Sequence, residues 1–344
     1  MILGRKTSGP HVGIYIVTEC TVPLTHRRLR AATGAARRCA SALAITAFAV
    51  LPMGAFARTP ITPVQLDRFD AQKTKVALSD GEELAYIDAG ARDAPPLVLI
   101  HGYTDSARDW APIAPLLASR FRLIIVDLRG HGASSKPDCC YTRFDFAYDI
   151  KLLLESLSIG SAHFAGHSLG SIVAQTYAEL WPESTRRLIL ISSSGTSFGP
   201  EEPPGSAKPL AQSWLAPLAT LEDPIDPDSA FMHDWWKVSM SINPEFFSRK
   251  QREDAAAIPA HVWRTMADQT LLGVDLRWML PRIRAPTLLI WGGKDTLMSE
   301  TGRAVLRTRI ARAETRVFPS LGHDLLWEDP EAVAGIMISF LAKQ

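Results

Sequence analysis

At 344 residues, 47% of them hydrophobic, the chain is long enough to bury one large core or two small ones. Its formal net charge of +1 conceals a division: residues 1–57 carry seven Lys+Arg and one Glu, whereas the rest carries 30 Lys+Arg against 35 Asp+Glu. A mildly acidic main body without a basic cluster speaks against nucleic acid as a partner.

In the first 57 residues, Arg27-Arg28-Leu29-Arg30 and Arg37-Arg38 precede an alanine-rich apolar run from Cys39 to Ala57 that ends Ala55-Phe56-Ala57. A basic stretch, an apolar stretch and an A-x-A site are the parts of an export signal. Cleavage is therefore expected near Ala57, giving a periplasmic or secreted protein. The alternative is an uncleaved membrane anchor, but Pro52 and Gly54 interrupt the run and make it a poor span. Only Cys139 and Cys140 then remain. Adjacent Cα atoms lie about 3.8 Å apart, so a bond between them is expected to be strained and both residues dispensable. Stability must then come from the hydrophobic core.

Thr74 to Leu78 and Glu83 to Ile87, around Ser79-Asp80-Gly81, read as two strands joined by a turn. Pro96 to Ile100 is a continuous apolar run, the pattern of a strand buried on both faces, and it leads into His101-Gly102-Tyr103. Trp110, Ile113, Leu116 and Leu117 have helical spacing. Phe121 to Val126 is the next buried strand, followed by Asp127 and the turn glycines Gly130 and Gly132, and then by a helix from Phe144 through Leu157. Gly130-His131-Gly132 is not a dinucleotide fingerprint, because Ser135 stands where a third glycine would be needed.

Ser161 to Gly170 then reads Ser-Ala-His-Phe-Ala-Gly-His-Ser-Leu-Gly and passes straight into a helical stretch. A serine between glycines at a strand-to-helix turn has the form of a nucleophile elbow. The turn is so sharp that side chains at 166 and 170 are expected to collide with it, while the first helix amides point at whatever Ser168 attacks. Arg187 to Ile191 is a further strand, and the alternation of strand and helix is that of a largely parallel sheet covered on both faces.

The alternation stops at Gly199-Pro200-Glu201-Glu202-Pro203-Pro204-Gly205 and resumes at Pro286 to Trp291, with a helix from Glu300 to Ile310, a strand from Glu314 to Phe318 and a last helix from Glu331 to Leu341. Residues 58–198 and 284–344 are therefore two parts of one α/β core. Residues 199–283 are a helical lid inserted between its strands.

Three features fall just after strand ends, the edge on which open α/β sheets carry their sites: His101-Gly102-Tyr103, Gly292-Gly293-Lys294-Asp295 and Ser320-Leu321-Gly322-His323. The order Ser168, Asp295, His323 is that of nucleophile, acid and base. A serine hydroxyl needs a base to take its proton, and a histidine held in one tautomer by a carboxylate can do so. The amides of Tyr103 and Leu169 are the expected oxyanion donors. His101 and His167 flank the site and are expected to pack or to bond backbone. Asp324, adjacent to His323, is expected to point elsewhere. After the strand that follows the elbow helix, another strand end on the same edge, the chain reads Ser192-Ser193-Ser194-Gly195, with no carboxylate to compete with Asp295. No Cys/His spacing suggests a metal, and no cofactor is expected.

From about Val76 to Ala342 the chain resembles the α/β-hydrolase superfamily, in the lidded branch of esterases, lactonases, cofactor-free haloperoxidases and C–C bond hydrolases. The resemblance implies a serine hydrolase acting on a small hydrophobic ester or lactone, as a monomer or small homo-oligomer. A C–C hydrolase, a perhydrolase or a non-catalytic binding protein on the same fold are the alternatives. Epoxide hydrolases and haloalkane dehalogenases carry Asp at the elbow, and the former use lid tyrosines that residues 199–283 lack, which disfavours both. Five of the nine tryptophans (Trp214, Trp235, Trp236, Trp263 and Trp278) lie in the lid. Most should pack the lid onto the core; Trp235, Trp236 and Trp263 are the candidates for an apolar pocket wall.

Overall fold

A computed structural model describes residues 61–197, 216–272 and 275–343. The expected export signal, the Gly199–Gly205 linker and Trp214 lie outside the described residues. Eight strands form one sheet: β1 (Thr74–Ala77), β2 (Glu83–Ala89), β3 (Pro96–Ile100), β4 (Arg122–Val126), β5 (Ala162–His167), β6 (Thr185–Ile191), β7 (Thr287–Gly292) and β8 (Ala313–Phe318). Their order is β1-β2-β4-β3-β5-β6-β7-β8. The pairings of β1 with β2 and β2 with β4 are antiparallel, and all the others are parallel. The apolar runs became the central strands because a parallel sheet hides both its faces. Val98 and Ile100 face one core cluster, with Ile124, Val126 and Phe164, while Leu97 and Leu99 face the other, with Leu123, Ile125 and Ala165.

The chain goes from β3 to β4 on one side and then crosses to β5 on the other, so the strand order reverses at β3. A crevice opens at such a reversal beyond the carboxyl ends of the strands. The residues following β3 and β5 are His101-Gly102-Tyr103 and Ser168.

One element departs from the expected helical spacing. Trp110 to Leu117 is not a single helix but a 3-10 turn (Ala107–Trp110) followed by a short helix, α2 (Ala114–Ala118), after α1 (Pro63–Asp70). Pro112 and Pro115 account for the break: a proline supplies no amide and crowds the preceding turn, so it is tolerated only where a helix begins. Leu116 accordingly faces solvent. Two long helices flank the elbow strand as expected, α3 (Arg143–Ser156) and α4 (Leu169–Leu180). A capping box on Thr142 and Asp145 starts α3.

Between β6 and β7 the described residues hold four helices, α5 (Ala230–Trp235), α6 (Lys237–Ile242), α7 (Glu245–Ala256) and α8 (Ala260–Met266), the last running into a π-helical turn at Ala267–Leu271. The chain returns through β7, α9 (Glu300–Arg309), β8, α10 (Leu325–Glu328) and α11 (Pro330–Leu341). Cys139 and Cys140 are joined by a disulfide, with Cα atoms 3.8 Å apart, and both are exposed. Among the described residues no helix is long and apolar enough to cross a membrane.

Candidate active site

Ser168 follows the last residue of β5 with φ 51° and ψ −119°, a conformation costly for any residue with a side chain. Its amide donates to the Ile191 carbonyl at 3.0 Å, and its own carbonyl accepts from the Ser171 amide at 2.9 Å and the Ser171 hydroxyl at 2.5 Å. Both elbow glycines are sterically required. A Cβ at Gly166 would lie 2.1 Å from the Gly170 carbonyl oxygen. One at Gly170 would lie 2.2 Å from the Ile100 oxygen, so the second clash is with the end of β3 rather than with the turn itself. The strain is therefore held in place from two strands.

Leu169 opens α4, so its amide is one of those a helix leaves without an intrahelical partner. The Tyr103 amide, in the turn after β3, makes no hydrogen bond among the described residues. These are the two N–H groups that the sequence offers as oxyanion donors.

The acid and base loops are packed on each other. A Cβ at Gly292 would lie 2.0 Å from the Gly322 oxygen, and the Lys294 amide donates to the Leu321 carbonyl at 2.8 Å. This contact brings His323 Nδ1 to 3.0 Å from Asp295 Oδ2, while Asp295 Oδ1 accepts from the Leu297 amide at 2.9 Å. Burial opposes the Asp295 charge. His323, the Leu297 amide and Arg303 outweigh it and carry the carboxyl down to about 2. A permanent carboxylate fixes the hydrogen on Nδ1 and leaves Nε2 as the basic nitrogen. The structure contains no hydrogen bond between Ser168 Oγ and His323 Nε2, a contact that tightens in many hydrolases only when substrate arrives. Among the described residues, no group of three or more His, Cys, Asp or Glu side chains could hold a metal.

The flanking histidines have distinct roles. His101 donates from Nδ1 to the Gly102 carbonyl at 2.7 Å and accepts at Nε2 from the Leu128 amide at 3.0 Å, which requires a neutral ring. Burial lowers its pKa accordingly, against Asp127. It ties the ends of β3 and β4 together. His167 lies 2.9 Å from Asp109 through Nδ1 and 2.9 Å from the His323 carbonyl oxygen through Nε2. The Ser192 hydroxyl donates to the same oxygen at 2.9 Å. Asp109 was not among the residues singled out in the sequence, and Ser192 figured there only as a position without a carboxylate. Asp109 is separated from His167 by 58 positions and Ser192 from His323 by 131, so no local spacing announces either contact. Asp127 is turn architecture: its carboxylate accepts from the Ala107 amide at 2.7 Å, the Ala133 amide at 2.9 Å and Lys73.

The helical segment between β6 and β7 contacts three successive residues of the loop after β3. Tyr103 Oη donates to the Trp263 carbonyl at 2.6 Å, Trp235 Nε1 to Thr104 Oγ1 at 2.9 Å and Gln251 Nε2 to Asp105 Oδ2 at 3.1 Å. The rings of Tyr103, Trp235, Trp263 and Phe231 meet mostly edge to face, with centroids 5.1–5.9 Å apart. The three tryptophans expected to wall a pocket differ in their exposure. Trp236 is buried in the hydrophobic core, and Trp263 is fully buried with its Nε1 bonded to the Ala255 carbonyl. Of the three tryptophans, Trp235 alone is part-exposed, beside Tyr103, and it packs against the same core cluster in which Trp236 is buried.

A strained serine at the reversal point of a mainly parallel sheet, with an aspartate–histidine pair on the loops after β7 and β8, defines a class. Residues 95–330 match the alpha/beta hydrolase fold family, and the chain belongs to that family. Among its relatives is the dihydrolipoyllysine-residue acetyltransferase component of the acetoin cleaving system of Pseudomonas putida, 30% identical over 276 residues, 79% of this chain and 69% of the relative. The 2-hydroxy-6-oxononadienedioate/2-hydroxy-6-oxononatrienedioate hydrolase of Paraburkholderia xenovorans is 27% identical, over 78% of this chain and 94% of its own. A crystal structure of a hydrolase from Pseudomonas aeruginosa superposes with a TM-score of 0.67 at 31% identity, covering 79% of this chain and 98% of that one.

Proposed function

We propose that the protein is a serine hydrolase cleaving a carboxylic ester or lactone that carries a hydrophobic group. The observation that carries this reading is the Ser168 elbow, strained and fixed from both neighbouring strands, on a sheet edge shared with a histidine whose Nδ1 is committed to an ionised Asp295. His323 Nε2 takes the Ser168 proton as Oγ attacks the carbonyl carbon, and the Leu169 and Tyr103 amides receive the developing oxyanion. The imidazolium then gives its proton to the departing alkoxide, leaving an acyl group on Ser168. Water, activated by the same histidine, releases the acid. The aromatic cluster of Tyr103, Trp235 and Phe231 supports a hydrophobic substrate.

Cleavage of a C–C bond by the same serine is a second reading, supported by the likeness to the Paraburkholderia hydrolase. A panel of p-nitrophenyl esters from acetate to palmitate, lactones and β-diketones separates the two. Ester or lactone turnover that disappears in Ser168→Ala is expected. Cleavage of β-diketones alone would replace the first reading with the second, and binding without turnover would end both. We further propose export with cleavage near Ala57, on the basic and apolar pattern of residues 27–57. N-terminal sequencing of exported protein that recovered residues before Ala40 would contradict it.

A further inference from the structure

His167, the residue before the nucleophile, belongs to a second aspartate–histidine pair that the acyl-enzyme chemistry does not use. His167 Nδ1 faces Asp109 Oδ2 and its Nε2 faces the His323 carbonyl oxygen, each at 2.9 Å. Neither partner has a hydrogen to offer. A backbone carbonyl only accepts, and Asp109, whose burial is outweighed by His167, His101 and the Gly102 amide so that its carboxyl stays below the ordinary range, is an ionised acceptor that also takes the Gly102 amide at 3.2 Å. Both ring nitrogens must therefore donate, which requires the imidazolium. The side chains of His167 and Asp109 are 5% and 3% exposed, so the pair is screened from water and neither member can lose its charge without stranding the other.

The contacts of this pair reach all three loops of the site. Gly102 immediately precedes the Tyr103 amide, His167 immediately precedes Ser168, and the carbonyl that His167 holds belongs to His323. Ser192 adds a second donor to that carbonyl. We infer that the buried Asp109–His167 ion pair is a positioning device that holds the oxyanion loop, the nucleophile elbow and the base loop in mutual register, and that turnover is full only while His167 carries both protons. The inference rests on the serine-hydrolase reading for its catalytic half.

The surroundings favour the second proton. Burial disfavours the charge, but Asp109 outweighs it and, with a contribution from Asp324, raises His167 to about 9. The titratable groups facing the pair are His101 and Asp105 from the loop after β3, both acting on Asp109, and His323 and Asp324 from the loop after β8, whose His323 ring centroid is 5.2 Å from that of His167. Above this range the neutral ring must present a lone pair to one of its two acceptors, and the contact to the base loop or to Asp109 is lost. That displaces groups that act on the transition state rather than on the bound substrate, so kcat falls while KM changes little.

The test combines nitrogen-15 NMR of histidine-labelled protein with kcat and KM on p-nitrophenyl butyrate from pH 6 to 10.5. His167, assigned by its disappearance in His167→Asn, is expected to be doubly protonated at pH 7 and to titrate near 9, with kcat falling over the same range. His167→Asn is expected to lose roughly 100-fold in kcat at pH 7, to keep KM within about threefold, and to lose the alkaline fall. Asp109→Asn removes the reason for the second proton and should move the alkaline fall toward neutral pH, which a purely structural role would not do. A protein inactive on every ester sinks the hydrolase reading. An active protein whose His167 carries one proton at pH 7, or a folded His167→Asn with kcat within twofold of wild type, overturns this inference alone.

Discussion

Two aspartate–histidine pairs lie around Ser168, Asp295–His323 and Asp109–His167, with nearly equal nitrogen–oxygen separations of 3.0 and 2.9 Å. They differ in what the second ring nitrogen does. His323 is 15% exposed, and its Nε2 makes no bond among the described residues; His167 is 5% exposed, and its Nε2 is held by a backbone carbonyl. A histidine can act as a base only if one nitrogen is left for the substrate. The same pair with both nitrogens bound inside the protein is a cross-link. Residue type and pairing distance therefore do not distinguish a base from a brace, whereas the fate of the second nitrogen does.

The largest effects should fall on the open pair and its nucleophile. Ser168→Ala and His323→Ala should each cost on the order of 10⁴–10⁶ in kcat, because nucleophile and base act as a unit. Asp295→Asn should cost roughly 10⁴ with the fold intact, by favouring the wrong tautomer. Steady-state kinetics on purified variants checks all three. If Asp324→Asn proved worse than Asp295→Asn, the open pair would have been wrongly assigned. A loss in His167→Asn as great as in His323→Ala would erase the distinction between the two pairs.

Stability sharpens the comparison, because the pairs fail at opposite ends of the pH scale. Asp295 is depressed to about 2, so its contribution is present above the ordinary carboxyl range and is lost as pH falls toward 2. His167 is raised to about 9, so its contribution is complete below about 6.5 and is lost as pH rises through 9. The latter is worth on the order of 3 kcal/mol. Urea unfolding of wild type should weaken between pH 6.5 and 10, and His167→Asn should flatten that slope; an equal slope in both proteins would contradict the assignment.

Smaller effects are expected away from both pairs. Trp235→Ala removes a ring beside Tyr103 and a hydrogen bond to Thr104, and should raise KM for long acyl chains about tenfold more than for acetate. Equal changes for all chain lengths would place the acyl site elsewhere. The Cys139–Cys140 bond joins adjacent residues and closes no loop, so it constrains the unfolded chain little. Cys139→Ser should lower Tm by less than about 4 °C.

Much of this arrangement was legible in the sequence because it is dictated locally. The apolar runs at 97–100 and 188–191 have the pattern of strands covered on both faces, and Gly166 and Gly170 mark a turn that no side chain could enter. Asp295 and His323 could be picked out because each follows a strand end. Asp109 could not, since it lies in a 3-10 turn where helical spacing suggested a longer helix, and its partner is brought to it by the sheet. The lid is the harder region for a related reason. Trp235 and Trp236 are chemically identical neighbours, and only tertiary packing decides that one stays part-exposed beside Tyr103 while the other is buried.

The central claim is that Ser168 is the nucleophile, activated through His323. Intact-mass and peptide mass spectrometry after exposure to a fluorophosphonate tests it most directly. The account predicts one adduct, on the peptide carrying Ser168, formed in wild type, absent in Ser168→Ala and formed far more slowly in His323→Ala. An adduct on any other residue, or ester turnover that survives in Ser168→Ala at more than a few per cent of wild type, would contradict it.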